Sequence, residues 1–248
     1  MNLYSFNFRF FLFTALILNI IGCKTDLKKD STSNTNLISA AQKWCEEGIT
    51  DLKPGDILVK PNLNFLPGSS DKTNGWTFGH AALVVKGYAH ENIDTLLANA
   101  TIIESMARDV PQAYQVREIA AYIENEKLPF SCTSFGPEIE GNRFRLRLNL
   151  SPSQIDSIIA FAREQKNDKS CWNAMKSFPD DVAPEGSNRK NWADNSHWYC
   201  SLLVWQSFYY VTGIDLDVNG GYLVYPNDLI ASEYFDIGVD LFPSRARF

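Results

Sequence analysis

The sequence predicts an α+β protein in which an antiparallel sheet packs against helices. The chain has 248 residues, of which 45% are hydrophobic and 13% aromatic, a composition that suits one globular core and excludes a disordered or fibrous chain. Short apolar runs bounded by turn residues alternate with segments of helical periodicity. No internal repeat is present, so we expect one folded domain over residues 37–248.

The N-terminal segment has the pattern of a secretion signal. Arg9 precedes the apolar run Phe10–Ile21, which is shorter than the roughly 20 residues that span a bilayer. The sequence at Ile20–Cys23 resembles the lipobox of bacterial lipoproteins, which implies cleavage after residue 22 and a lipid anchor on Cys23. We expect a signal peptide over 1–22 and a flexible tether over 23–36; the alternative is an ordinary buried cysteine beside a signal peptide.

The charge of the chain bears on which partners it can bind, and its cysteines bear on the compartment in which it works. Lys and Arg number 23 against 29 Asp and Glu, a net charge of −6, and no basic run could follow a phosphate backbone. Nucleic acid is therefore not an expected partner, and membrane attachment would depend on the lipid at Cys23. Secretion to the cell envelope, at the periplasmic face or the outer membrane, would allow disulfides among Cys45, Cys132 and Cys171.

The elements follow in order along the domain. The spacing of apolar residues predicts a helix over Leu37–Gly48, then a turn at Lys53–Asp56 into a strand at Ile57–Val59. After a polar loop over 61–77, the run Gly79–Val85 predicts a strand buried on both faces, and Thr101–Met106 predicts its neighbour.

The second half of the domain predicts one more strand and two helices. Asn142–Leu150 alternates apolar residues with three arginines, which predicts a strand whose arginine face meets solvent. Ser151 and Pro152 begin a helix that continues to about Lys166. A long polar loop over 173–196 leads to an apolar helix over Ser201–Thr212, closed by Gly213.

Cys200 is the candidate nucleophile, because it stands where the polar loop meets this helix. Unpaired backbone N–H groups and the helix dipole favour a thiolate at such a position. The alternative is a structural or disulfide-bonded cysteine. A nucleophilic cysteine needs a base, and the chain has three histidines: His80 in the buried strand, His90 in a polar turn expected at the surface, and His197 as a competing base three residues before Cys200.

Glu104 is the candidate for the group that orients the histidine. In the strand Thr101–Met106 it shares a face with Ile102 and Met106, so it is expected to point inward. A buried carboxylate needs a partner, and an inward histidine on the next strand can supply one. The alternative is a glutamate paired with Arg108 or placed at the sheet edge.

These residues carry a resemblance to a known family. The order His80, Glu104, Cys200, together with Leu52–Leu58, Gly79–Val84, Ile102–Ser105, Trp198–Ser201 and Tyr225–Leu229, resembles the permuted NlpC-type papain-like proteins, and within them the YiiX/YebB-like amidases. The resemblance implies a circularly permuted papain-like fold over roughly residues 50 to 232. It implies that Cys200 attacks a carbonyl, His80 moves the proton and Glu104 orients His80.

The resemblance implies that the protein is a cysteine peptidase or amidase of the cell envelope that needs no cofactor. Its expected substrate is a peptide or amide, with peptides derived from peptidoglycan among the candidates. Trp198 and Tyr199 are candidates for contacts with substrate or with the oxyanion, and the backbone N–H of Cys200 for an oxyanion donor. Two alternatives stay open: an acyltransferase that uses the same acyl-enzyme, and a catalytically silent binding lipoprotein.

Metal sites are not expected. Asp215–Gly220 matches the first half of a calcium loop, but Pro226 stands where the bidentate glutamate belongs, so an ordinary turn is the preferred interpretation. No Cys-x-x-Cys motif or close pair of histidines offers a zinc ligand set. The aromatic residues near Cys200 could line a cleft, although those in the helix are expected in the core; they are Trp172, Trp192, Trp198, Tyr199, Tyr209 and Tyr210.

Overall fold

A mixed sheet forms the centre of the computed structural model, which describes residues 45–61, 79–106, 115–123, 135–166, 168–170, 174–178, 197–236 and 245–248. The strands are β1 Glu46–Glu47, β2 Asp51–Leu52, β3 Ile57–Lys60, β4 His80–Lys86, β5 Tyr88–Ala89, β6 Thr101–Met106, β7 Gln115–Ala120, β8 Phe144–Leu146, β9 Lys169–Ser170, β10 His197–Trp198 and β11 Arg245–Arg247. The helices are α1 Ile93–Asn99, α2 Pro152–Glu164, α3 Cys200–Thr212 and α4 Pro226–Ala231, with 3-10 turns at Pro137–Ile139 and Glu233–Phe235.

Nine of these strands pair in the order β1-β11-β8-β3-β4-β6-β7-β9-β10, and β2 pairs with β5 separately. The central pairs from β11 to β7 are antiparallel, as is β7 with β9. The edge pairs β1–β11 and β9–β10 are parallel, so the sheet is mixed rather than purely antiparallel as expected. The prediction of an α+β protein with a sheet packed against helices is confirmed.

Both faces of the central strands are covered. One face, with Ile57, Leu83 and Ile103, packs in the same buried cluster as residues of α2 and α3. The opposite face, with Leu58, Ala82, Val84 and Ile102, packs against Leu96 and Leu97 of α1. Strand residues therefore alternate between two apolar layers, which explains why β4 reads as a continuous apolar run.

The predicted strands at 57–59, 79–85 and 101–106 are confirmed by β3, β4 and β6. The helices predicted to follow Ser151 and to cover Ser201–Thr212 are confirmed by α2 and α3. In α2, the Ser151 hydroxyl and the Gln154 side chain form a capping box, with Pro152 in the first turn. In α3, the C-cap Gly213 has φ 69°, a conformation that glycine adopts without steric cost.

The predicted helix over Leu37–Gly48 is wrong where the structure describes it. Glu46 and Glu47 form strand β1, paired in parallel with Ala246 and Arg247, and Gly48 has φ 78°. Pairing with the C-terminal strand outweighs the local helical periodicity, which carries no information about such a distant partner. Residues 37–44, most of the predicted loop at 61–77, and the predicted signal and tether lie outside the described residues.

The predicted solvent-facing arginines of Asn142–Leu150 are also wrong, because Arg143, Arg145 and Arg147 are buried. Arg143 donates to the carbonyl oxygens of Phe135 and Phe248, at 3.0 and 3.3 Å. Arg147 donates to Asp56 through Nε and Nη2, at 2.6 and 2.7 Å. Arg143 and Arg147 thus have acceptors inside the fold, whereas Arg145 lies 3.8 Å from Glu46 and its Nε and Nη1 are buried without a hydrogen-bond partner among the described residues. Both faces of this segment are therefore buried, and the alternation does not separate a buried face from an exposed one.

Candidate active site

His80 is the first residue of β4 and lies in the interior with 6% of its surface exposed. Its ring centroid lies 5.7 Å from that of Phe135. The antiparallel pairing of Leu83 with Ile103 and Val84 with Ile102 brings Glu104 of β6 to the same face, diagonally across from His80.

His80 Nε2 and Glu104 Oε2 lie 2.7 Å apart, and the Glu104 side chain is fully buried. This confirms that the two strands are neighbours and that both side chains point inward. Because Nε2 is engaged with the carboxylate, Nδ1 is the ring nitrogen left to face another group.

Cys200 is the residue that hydrogen-bonds to His80 from the other side. It is the first residue of α3, follows the N-cap Tyr199 and is 4% exposed. Its sulfur hydrogen-bonds to His80 and to the backbone N–H groups of Ala81 and Ser201. Cys200 carries a free thiol, so the alternative of a disulfide-bonded cysteine does not hold here.

The ionisation of the three groups follows from this arrangement. Burial alone would lower the pKa of His80, but its hydrogen bonds to Cys200 and Glu104 outweigh burial and raise the pKa to about 9. Burial alone would raise the pKa of Glu104, but the hydrogen bond from His80 and the charges of His80 and Arg117 lower it to about 2. The hydrogen bond and charge of His80 likewise overcome burial and lower the pKa of Cys200.

Taken together, these pKa directions favour the ion-paired form of the site, in which Cys200 is a thiolate, His80 an imidazolium and Glu104 a carboxylate. A thiolate is the nucleophilic form of cysteine, and the imidazolium can donate a proton to a leaving group. The site therefore has the parts that covalent catalysis by cysteine requires.

The start of α3 is held from two sides. The Ser105 hydroxyl donates to the Trp198 carbonyl at 2.8 Å, which ties β6 to the residues before Cys200. The Ser201 hydroxyl donates to the Val224 carbonyl at 2.8 Å. These hydrogen bonds fix the backbone on both sides of the sulfur.

Trp198 and Tyr199 have partners within the protein. The indole N–H of Trp198 donates to Asp168 Oδ2 at 3.0 Å, and its ring meets Phe161 edge to face. The Tyr199 hydroxyl accepts from the Val224 N–H at 2.7 Å, and burial raises the pKa of Tyr199. These contacts show both side chains supporting the loop before Cys200, whereas contact with substrate or an oxyanion stays a prediction.

Of the other two histidines, only His90 has a described side chain. His90 is exposed, and its Nδ1 accepts from the Asn92 N–H at 2.9 Å, which confirms its expected place at the surface. The backbone of His197 pairs with that of Lys169 between β10 and β9, and its side chain lies outside the description.

Sequence reasoning missed Arg117, which lies directly opposite Glu104 in the β6–β7 pair. Its Nε and Nη2 lie 2.9 and 2.8 Å from Glu104 Oε1. The sequence of Gln115–Ala120 has no regular alternation of polar and apolar residues, and no local signal predicts the register that brings Arg117 to Glu104.

The calcium-like loop is occupied by contacts with the protein itself. Asp215 Oδ1 accepts from the Trp205 indole and from the Asp217 N–H, and the Asp217 carboxylate is ion-paired with Lys176. Across the described ranges, no group of three or more His, Cys, Asp or Glu could hold a metal ion. No helix within those ranges has the length and hydropathy to cross a membrane.

Fold and site define an α+β protein with a hydrogen-bonded Cys–His–Glu set at a helix N-terminus. Over 199 residues the chain is 30% identical to the uncharacterized protein YycO of Bacillus subtilis (strain 168), a match that covers 78% of this chain and 69% of YycO. The chain therefore belongs to the same family as YycO. No protein-family model matches the sequence, and no solved structure matches it.

Proposed function

We propose that this protein is a cysteine hydrolase of the cell envelope that cleaves an amide bond through an acyl-enzyme on Cys200. The observation that carries the proposal is the chain of hydrogen bonds from the Cys200 sulfur through His80 to Glu104. The order of these residues and the motifs around them support a permuted papain-like architecture of the YiiX/YebB-like type.

In the proposed mechanism, the Cys200 thiolate attacks the carbonyl carbon of the substrate amide. The imidazolium of His80 gives its Nδ1 proton to the departing amine, the C–N bond breaks, and a thioester remains on Cys200. Water then attacks the thioester while His80 takes its proton, which releases the acid and regenerates the thiolate. Throughout, Glu104 accepts from Nε2 and keeps the ring in one orientation.

The start of α3 supports this chemistry electrostatically. The carbonyl of Tyr199 accepts the first bond of the helix, from the N–H of Leu203, so the N–H groups of the first turn have no partner within the helix. The N–H of Cys200 is our candidate for the donor to the oxyanion of the tetrahedral intermediate.

Location and substrate are parts of the same proposal. A lipid on Cys23 would hold the domain at the envelope, and peptides or amides, including those from peptidoglycan, would be its substrates. Transfer of the acyl group to an amine or a lipid instead of water would use the same thioester. The free thiol of Cys200 supports chemistry over a silent binding role.

The test is replacement of the nucleophile. Cys200→Ala should abolish both covalent labelling by a peptidyl chloromethyl ketone and turnover of a panel of peptide amides, while leaving circular dichroism and urea unfolding near those of the unsubstituted protein. Cys45→Ala is the matched control, because it removes a partly buried thiol outside the site. Undiminished labelling and turnover in Cys200→Ala would refute the proposal.

A further inference from the structure

Arg117 is bound to the carboxylate oxygen of Glu104 that His80 leaves unused. Nε2 of His80 approaches Oε2 at 2.7 Å, whereas Nε and Nη2 of Arg117 approach Oε1 at 2.9 and 2.8 Å. The carboxylate is thus clamped between an imidazole on β4 and a guanidinium on β7. A guanidinium that holds one oxygen with two N–H groups fixes the plane of the carboxylate as well as its position.

The contact between Arg117 and Glu104 also affects the electrostatics of the site. In the reactive form, Glu104 and Cys200 are negative and His80 is positive, so the three groups together carry one net negative charge. All three are buried, and a buried net charge is costly unless an opposite charge lies close to it. Arg117, whose side chain is 17% exposed, supplies that charge.

We propose that Arg117 is a positioning residue of the Cys200 site, which neutralises Glu104 and thereby sets the pH range in which Cys200 is a nucleophile. The proposal rests on the proposed function, because it assigns Arg117 a role in the same chemistry. The groups that bear on the site come from three strands and one helix: His80 on β4, Glu104 on β6, Arg117 on β7 and Cys200 on α3. The Tyr199 hydroxyl is near enough for the charge of Cys200 to act on it.

Removal of Arg117 should shift the pKa values of the site in one direction. Loss of a nearby positive charge makes every group of the site bind its proton more tightly, so the pKa values of Cys200, Glu104 and His80 should all rise. The thiolate would then form only at higher pH, and the imidazolium would persist to higher pH. A purely structural role for Arg117 would lower stability without moving both limits in the same direction.

The experiment compares the unsubstituted protein with Arg117→Met and Arg117→Lys. The pH dependence of Cys200 alkylation by iodoacetamide gives the midpoint at which the thiolate forms, which is the lower limit of the active pH range. NMR titration of the His80 ring gives the midpoint at which the imidazolium loses its proton, which is the upper limit. Arg117→Met should move both midpoints upward by about one pH unit. Arg117→Lys keeps the positive charge with fewer N–H donors, so both midpoints should lie much closer to those of the unsubstituted protein than to those of Arg117→Met.

Arg163→Met is the matched control, since Arg163 forms an exposed ion pair with Glu118, the neighbour of Arg117 on β7. It removes the same charge from the surface and should move neither midpoint. Unchanged midpoints in Arg117→Met, with a reactive Cys200 in the unsubstituted protein, overturn the role of Arg117 alone. An ordinary thiol at Cys200 in the unsubstituted protein overturns the proposed function and this inference with it. If Arg117→Met does not fold, Arg117→Gln replaces it, because it keeps a polar N–H donor for Glu104 but removes the charge; both midpoints should still rise, and unchanged midpoints would overturn the role of Arg117.

Discussion

Two cysteines of this protein show how surroundings decide the chemistry of one side chain. Cys200 has an imidazole and two backbone N–H groups around its sulfur, and its pKa is lowered despite burial. Burial raises the pKa of Cys45, and the nearby charges of Arg245 and Arg247 do not overcome it. Burial does not account for the difference between the two thiols, because Cys200 is the more deeply buried of the two and is the one whose pKa is lowered; its hydrogen bonds account for it.

We therefore expect the two thiols to react over separate pH ranges. At about pH 6, iodoacetamide should modify Cys200 at least about tenfold faster than Cys45, because the pKa of Cys200 is lowered whereas that of Cys45 is raised. Peptide mapping by mass spectrometry after timed quenching measures each site within the same sample. His80→Gln should remove the advantage of Cys200, and equal rates in the unsubstituted protein would count against the ion pair.

At the scale of elements, the turn before β3 is held by an ion pair with the segment after β8. The Asp56 carboxylate accepts from the Lys53 N–H at 2.8 Å and from Arg147, which also lies 3.3 Å from Asp51. Asp56 is 1% exposed, so its charge depends on these partners. Asp56, which belongs to the motif that pointed to a hydrolase family, thus serves to join two segments of the sheet.

Arg147→Met should destabilise the protein by about 3 to 5 kcal/mol, because it leaves the buried Asp56 carboxylate without its guanidinium partner. Urea unfolding followed by fluorescence gives the free energy difference. Arg163→Met, which breaks an exposed pair between α2 and Glu118 of β7, should cost less than about 1 kcal/mol. Equal costs for the two substitutions would show that the Asp56–Arg147 contact does not hold the sheet.

At the scale of the whole molecule, a buried acidic cluster links three segments that are distant in sequence. Asp217 is ion-paired with Lys176, whose Nζ also lies 4.9 Å from the Trp205 ring centroid. Asp228 accepts from the side chain of Asn219 at 2.6 Å. Burial and then the charge of Asp217 raise the pKa of Asp228 to about 7.

This carboxyl group should make stability depend on pH. Its pKa is higher in the folded than in the unfolded protein, where it is about 3.9, so the folded state holds the extra proton and the contribution of Asp228 declines as pH rises from about 4 to 7. Asp228→Asn removes the titration, so its stability relative to the unsubstituted protein should rise between about pH 5 and pH 8, by about 1 to 3 kcal/mol. Urea unfolding at the two pH values measures the change.

Asp156→Asn is the control for this measurement, because Asp156 is an exposed carboxyl group on α2. Its stability relative to the unsubstituted protein should be the same at both pH values. A flat difference for Asp228→Asn as well would mean that Asp228 is ionised in the folded protein at about pH 5.

Local patterns determined the elements that carry the site. A glycine-bounded apolar run indicated β4, and a short apolar segment indicated β6. Period-two alternation predicted that His80 and Glu104 point inward, and helical spacing predicted Cys200 at the start of α3; all of these signals depend on residues within a few positions of one another. Tertiary structure alone decided which distant residues meet. The pairing of β1 with β11, the burial of Arg143 and Arg147, and the clamp of Arg117 on Glu104 depend on strand register and on partners far along the chain, because an ion pair inside a protein is chosen by which charges the fold brings within a few ångströms.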